Sequence, residues 1–265
     1  MKLPPEERAR IAQQALPMVD LTNLADDCQP DDIRELWHAA STPFGTVAAI
    51  CIWPRFVGLA RDQRRNDAED ARAGDILIAC VVNFPSGDEA VEDVVAATRA
   101  AVQARANEID MVLPYRAFLA GDEVFASTMI DAVREAAGSE VTLKVILETG
   151  ALGEPGNIAR TSQLAISAGA DFIKTSTGKT ATSATPEAAR VMLEQIKAAS
   201  RPVGLKPSGG IRTVEDAKIY LDLTDEIMGS GWASRTTFRF GASGLLGDLI
   251  AALNGERTQK PSSGY

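Results

Sequence analysis

The sequence predicts a single-domain α/β protein, a (β/α)8 TIM barrel. Short, mostly apolar segments recur about every thirty residues, and helical patterns fill the intervals. Eight such segments can be counted. A chain of 265 residues is long enough to close eight βα units around one core. An open, doubly wound parallel sheet is the competing arrangement, and eight evenly spaced strands favour closure.

The strand candidates, in order, are residues 18–21, 47–52, 76–82, 108–113, 142–147, 171–175, 203–206 and 239–241. A short helix precedes the first strand, and residues 33–40 read as another helix. Residues 88–105 carry Val91, Val94, Val95, Thr98, Ala101 and Val102 at helical spacing, with one apolar face. Residues 161–168 form a further helix that ends before Gly169. Thr185-Pro186-Glu187 supplies an N-cap, a proline at the first helical position and an early acid. Thr213-Val214-Glu215-Asp216 starts another helix in the same way. No stretch reads as an interdomain linker, so residues 1–254 are expected to form one barrel domain. Residues 255–265 are polar and rich in Gly, Pro and Ser, the composition of a mobile tail.

Composition narrows the function. The net charge of −9 argues against a broad nucleic-acid surface and against binding to an anionic membrane. A phosphate site must therefore be local, built from a few lysines and backbone N–H groups. The N-terminus lacks the apolar stretch of a signal peptide, and no run reaches the ~18 apolar residues of a membrane span. Cys28, Cys51 and Cys80 are odd in number and far apart, which fits neither a disulfide framework nor a zinc pattern and suits a reduced cytoplasm. The single histidine, His38, sits in a helical segment and reads as structural or surface. A His-rich metal site is excluded.

Parity gathers the charges. In the fourth strand Ile109 and Met111 share one face, leaving Glu108 and Asp110 on the other. The fifth strand pairs Leu143 with Val145 and leaves Lys144. The sixth leaves Phe172 and Lys174, and the seventh Gly204 and Lys206. Outer faces of barrel strands pack against helices, so the charged faces point inward. Asp110, Lys144, Lys174 and Lys206 then share one volume. A buried lysine loses hydration, and a second ammonium nearby shifts its pKa further down. The neutral amine so formed attacks carbonyls. The alternative is that each lysine snorkels, pairs with a carboxylate or is capped at the barrel floor.

Three loops could cradle a phosphate. Thr175-Ser176-Thr177-Gly178-Lys179-Thr180 follows the sixth strand, Pro207-Ser208-Gly209-Gly210 the seventh, and Gly241-Ala242-Ser243-Gly244 the eighth. Small residues between a strand end and a helix start let backbone N–H groups approach an anion. Tight turns use the same residues. Gly178-Lys179-Thr180 mimics the end of a nucleotide P-loop, but the glycine required five positions earlier is Ile173.

Along nearly its whole length the chain resembles the deoxyribose-phosphate aldolase family of class I aldolases. The resemblance rests on Asp20-Leu21-Thr22, Ala49 to Arg55, Glu108-Ile109-Asp110, Leu143 to Gly150, Gly169 to Lys179, Lys206-Pro207-Ser208-Gly209-Gly210 and Phe240-Gly241-Ala242-Ser243. It implies reversible cleavage of 2-deoxy-D-ribose 5-phosphate to acetaldehyde and D-glyceraldehyde 3-phosphate in deoxyribonucleoside catabolism. It implies no metal, no organic cofactor and a homodimer or other homo-oligomer. Lys174 would form the Schiff base, and Lys206 would keep it unprotonated by like-charge repulsion. Asp110 would move protons through a water, with Lys144 in the same relay and Asp20 and Thr22 in support. Cys51 matches a pocket cysteine, though a small core residue would look the same. Gly178, Gly209, Gly210 and Ser243 would hold the phosphate, with Gly241, Thr177 and Lys179 alongside. A terminal tyrosine, here Tyr265, reaches the active site in relatives with such a tail. Two departures stand out: Gly244 where many relatives have a second serine, and Trp53, expected at the barrel wall, where tyrosine is common. Other readings of the lysines and loops are a different Schiff-base lyase, a pyridoxal-phosphate enzyme and a non-catalytic sugar-phosphate binder.

Overall fold

A computed structural model describes residues 3–67, 69 and 72–256. Eight parallel strands form its centre: β1 (Val19–Thr22), β2 (Ala49–Ile52), β3 (Leu77–Val82), β4 (Glu108–Val112), β5 (Thr142–Ile146), β6 (Phe172–Lys174), β7 (Gly204–Lys206) and β8 (Phe240–Ala242). Neighbours follow chain order from β1 to β7, and β8 pairs with β1. Parallel bridges from Leu205 to Phe238 and from Ser208 to Gly241 join β7 to the β8 segment and close the ring. The expected TIM barrel is therefore the observed one. A small antiparallel hairpin, Ser41–Thr42 with Gly45–Thr46, stands apart from it.

The strand boundaries move by a residue or two for identifiable reasons. β1 begins late because Leu16–Met18 form a 3-10 turn that leads out of the helix Pro5–Ala15. Asp171 stays outside β6, where its carboxylate accepts from Leu143 N–H at 2.8 Å and from Arg134 at 2.9 Å. The helix expected at 161–168 starts earlier and spans Pro155–Ser167, with proline in its first turn. The helix Val91–Gln103 buries Val94, Thr98 and Ala101, the face its spacing foretold. Thr185 caps Pro186–Ala198 by accepting from Ala188 N–H at 3.1 Å. Thr213 and Asp216 form a reciprocal capping box at the start of Val214–Met228. Such caps contribute about 1 kcal/mol each.

Register decides what faces inward. Asp110 lies beside Lys144, Lys174 beside Lys206, and Asp20 beside Gly241. Ile109, Met111, Leu143, Val145, Ile173 and Leu205 occupy the opposite faces and are fully buried. His38 is exposed on the helix Pro30–Ala39. Among the described residues no helix is long and apolar enough to cross a membrane.

Candidate active site

Strand parity brings four cations and three carboxylates into the barrel. Lys144 comes from β5, Lys174 and Lys206 end β6 and β7, and Arg239 directly precedes β8. β1 supplies Asp20, and β4 supplies Glu108 and Asp110. Asp20, Asp110, Lys144 and Lys206 are 0% exposed, and Lys174 is 2% exposed.

Asp110 is the hub. Its Oδ2 accepts from Lys174 Nζ at 2.9 Å and from Lys206 Nζ at 2.6 Å, and its Oδ1 accepts from Lys144 Nζ at 3.0 Å. Lys206 also pairs with Asp20 Oδ2 at 2.6 Å. Lys144 pairs with Asp20 at 3.4 Å and with Glu108. Arg239 closes the floor, donating to Asp20 Oδ1 at 2.7 Å and to Glu108 Oε1 at 2.9 Å. The shares are unequal. Among the described residues Lys174 pairs with one carboxylate, Lys206 and Arg239 with two each, and Lys144 with three.

Burial opposes every charge here, and opposite charges overcome it. Burial pushes the Asp110 carboxyl up, but Lys144, Lys174 and Lys206 hold it well below the usual range. Asp20 is likewise held down against burial by Lys206, Lys144 and Arg239. Burial pushes Lys206 down, yet Asp110 and Asp20 carry it above the ordinary lysine value. Lys144 is raised against burial by Asp110 and Glu108. Asp20 and Asp110 are therefore fixed anions at neutral pH, and Lys144 and Lys206 are fixed cations. This refines the sequence expectation. Lys206 does crowd Lys174, but both share one oxygen of Asp110, which offsets part of their repulsion.

Smaller residues shape the chamber. A Cβ on Gly241 would stand 2.6 Å from Ser208 Oγ and 3.1 Å from Lys206 Cε, so glycine lets the Lys206 side chain cross β8. Cys51 is fully buried, with its Sγ 3.8 Å from Asp110 Oδ2. Burial pushes the Cys51 thiol up, so it stays neutral. Thr22 donates to the carbonyl of Asp20 at 2.8 Å and braces β1 beside the network. Trp53 is not in the barrel wall: it lies past the end of β2, and its indole N–H donates to the Ala25 carbonyl at 3.0 Å.

The three small-residue loops meet at the mouth. Ser176 Oγ donates to the Ser208 carbonyl at 2.6 Å, Ser208 N–H to Thr175 Oγ1 at 3.0 Å, and Gly209 N–H to the Gly241 carbonyl at 3.3 Å. Gly178 and Gly210 have left-handed backbone, and both are exposed, as is Ser243. The helix Leu245–Leu253 starts immediately after Ser243 and Gly244, which directs its first N–H groups toward this rim. Two expected ligands are otherwise engaged. Lys179 Nζ rests on Asp26 at 3.0 Å. Thr177 turns inward, its Oγ1 donating to Glu148 Oε2 at 2.5 Å. Thr180 Oγ1 donates to the other Glu148 oxygen at 3.1 Å.

Three participants escaped the sequence reading. Parity puts Glu108 on the inward face, and the sequence assigns it no role. Arg239 shares parity with Gly241, and that was the signal for it. Glu148 is buried with left-handed backbone (φ 59°) just past β5, where barrels place functional side chains. Tyr265 lies outside the described residues.

A family model described as DeoC/LacD family aldolase matches residues 14–239. This chain belongs to that family. It is 53% identical over 261 residues to a deoxyribose-phosphate aldolase of Agrobacterium fabrum, across 98% of this chain and 97% of that protein. Among solved structures it resembles a protein assigned as a deoxyribose-phosphate aldolase from Toxoplasma gondii ME49, with TM-score 0.86 and 21% identity over 97% and 99% of the two chains. It also resembles a deoxyribose phosphate aldolase from Aeropyrum pernix, described as a tetramer, with TM-score 0.70 and 22% identity over 92% and 91%. These two likenesses bear on the barrel alone. The family membership accords with a lysine-lined barrel.

Proposed function

We propose that the chain is a class I aldolase that reversibly cleaves 2-deoxy-D-ribose 5-phosphate to acetaldehyde and D-glyceraldehyde 3-phosphate, in deoxyribonucleoside catabolism. The observation that carries this reading is Lys174, buried at the end of β6, sharing Asp110 Oδ2 with Lys206 and paired with one carboxylate among the described residues. The highly identical relative named for this activity supports it.

Lys174 reacts through its unprotonated form. It attacks the C1 aldehyde and forms a carbinolamine, which loses water to give an iminium. The iminium accepts the electron pair of the C2–C3 bond as that bond breaks, and the C3 hydroxyl surrenders its proton as D-glyceraldehyde 3-phosphate departs. The remaining enamine takes a proton at C2, and water releases acetaldehyde and the free amine. The iminium is the electron sink, so the scheme calls on no metal or organic cofactor. Asp110, backed by Lys144 and Asp20, moves protons through a water. Lys206 remains a cation and favours the unprotonated Lys174. Cys51 lines the wall near the aldehyde. Thr22 braces β1, and Thr177 fixes its loop through Glu148. The phosphate sits among Gly178, Gly209, Gly210, Gly241 and Ser243, with Lys179 released from Asp26 to meet it. Tyr265 is proposed for proton transfer on the family resemblance alone. The enzyme is taken to be a cytoplasmic homo-oligomer, as the family resemblance implies, and its three free buried cysteines suit that compartment.

The test is trapping. Acetaldehyde and borohydride at neutral pH should leave an ethyl group on the Lys174 amine, mapped by mass spectrometry of the digest. Labelling elsewhere, or none, defeats the proposal. Lys206→Leu should displace the pH profile of trapping to higher pH. The change removes a neighbouring cation and frees Asp110 Oδ2 from its second lysine, and both effects favour the protonated amine. An unaltered profile would refute the role of Lys206.

Gly244 offers a separate test at the phosphate end. Its φ is −106°, and a Cβ there meets nothing within 4 Å, so serine fits without strain. Gly244→Ser should lower KM for the phosphorylated sugar several-fold and leave KM for unphosphorylated 2-deoxyribose unchanged. Equal effects on both substrates would place the phosphate elsewhere.

A further inference from the structure

Arg239 stands at the floor of the barrel, away from the mouth. Its guanidinium reaches Asp20, Glu108 and the Arg235 carbonyl, and lies 5.6 Å from the centroid of the Phe172 ring. The floor is built to hold it. A Cβ on Gly204 would stand 2.2 Å from Phe172 Cε1, so glycine in β7 is what admits the ring. Gly204, Phe172 and Glu108 each lie two residues before Lys206, Lys174 and Asp110 on their strands, which sets Arg239 one layer beneath the reactive amine.

Counting charge gives this position a consequence. Without Arg239, Asp20, Glu108 and Asp110 face Lys144, Lys174 and Lys206, and the interior balances only when every lysine is protonated. With Arg239 the cations number four against three carboxylates. A guanidinium keeps its proton in proteins, so any proton given up by these cations comes from a lysine. Lys174 has the fewest carboxylate partners. We propose that Arg239 is a positioning residue that sets the charge of the barrel interior, so that balance is reached when the Lys174 amine is neutral. The proposal rests on the Schiff-base reading of Lys174.

The other charged and titratable groups around this volume fit the count. Cys51 on β2 and Cys80 on β3 are pushed up by burial and stay neutral thiols. Arg235 borders the floor: its guanidinium donates to the carbonyls of Ala48 and Asp75, its charge is felt by Arg239, Glu108 and Asp20, and the Asp75 carboxylate opposes it and leaves the count unchanged. Burial pushes Arg239 down, but Asp20 and Glu108 outweigh it and raise the group above the usual arginine value.

The experiment is the pH profile of acetaldehyde trapping on Lys174 in wild type, Arg239→Lys, Arg239→Met, Glu108→Gln and the Arg239→Met/Glu108→Gln double variant. Arg239→Met should displace the half-maximum upward by about one pH unit or more, the scale of one charge acting through a low-dielectric interior. Arg239→Lys should keep the wild-type profile. The double variant removes one charge of each sign and should return the profile toward wild type, an outcome that a purely structural role does not produce. Glu108→Gln alone should move it downward, and this carries the test if Arg239→Met does not fold. Superimposed profiles for wild type and Arg239→Met, a double variant as displaced as the single, or an upward or absent shift in Glu108→Gln would each overturn the proposal. Absence of an adduct on Lys174 in wild type would remove the Schiff-base reading first, and this proposal with it.

Discussion

Lys174→Leu should abolish cleavage of 2-deoxy-D-ribose 5-phosphate and leave the barrel folded. Leucine keeps the apolar stem and removes the amine proposed to bond covalently to the sugar. No other amine at the site can substitute, because Lys206 and Lys144 are held as cations by Asp110, Asp20 and Glu108. The loss in kcat should be on the order of 10^4-fold or more, the scale seen when a covalent nucleophile is removed. Stability should change little. The substitution leaves Lys144, Lys206 and Arg239 opposite Asp20, Glu108 and Asp110, a balanced set in which Asp110 still accepts from Lys206 and Lys144. A coupled aldehyde assay beside thermal unfolding separates the two outcomes. Turnover above the buffer background in a folded Lys174→Leu protein would rule out the assignment.

Much of this site was legible because parity is a strict rule. Once residues 108–113 and 142–147 read as strands, Asp110 and Lys144 had to share a face with Lys174 and Lys206, and the register confirms the neighbours. Arg239 was harder to read. It opens a segment containing only Phe240 and Gly241 beyond it, so its parity with Gly241 is a faint signal. Its contacts with Asp20 and Glu108 cross 219 and 131 residues of sequence. Glu148 was hidden differently. It lies past the strand, in a left-handed backbone conformation that strand parity does not describe, and its partners Thr177 and Thr180 belong to another loop. The engagement of Lys179 by Asp26 joins the loops after β1 and β6, which come together only when the ring closes. Local pattern foretold which residues enter the barrel, and closure decided how they divide their partners.

Asp110→Asn probes that division most severely. The amide matches the carboxylate in shape but not in charge, and its NH2 must face at least one ammonium where an oxygen accepted before. Lys174 and Lys206 converge on one oxygen and Lys144 on the other, so neither orientation of the amide satisfies all three. Removing one partner from a buried ionic network costs about 3–5 kcal/mol. Loss of the proposed proton relay should lower kcat by about 10^2–10^4-fold. The pH dependence has a definite sign. The Asp110 carboxyl titrates well below its usual range in the folded protein because of its three lysines, which outweigh the upward push of burial. Its contribution to stability is then fully present above the unfolded carboxyl value of about 3.9, and is lost as pH falls through the lower folded value. The stability gap between wild type and Asp110→Asn should therefore be constant from neutral pH to about pH 5 and close under stronger acid. Urea unfolding of both proteins across that range is the measurement. Equal stability at neutral pH, or a gap that widens on acidification, would show that Asp110 is not the hub of the network.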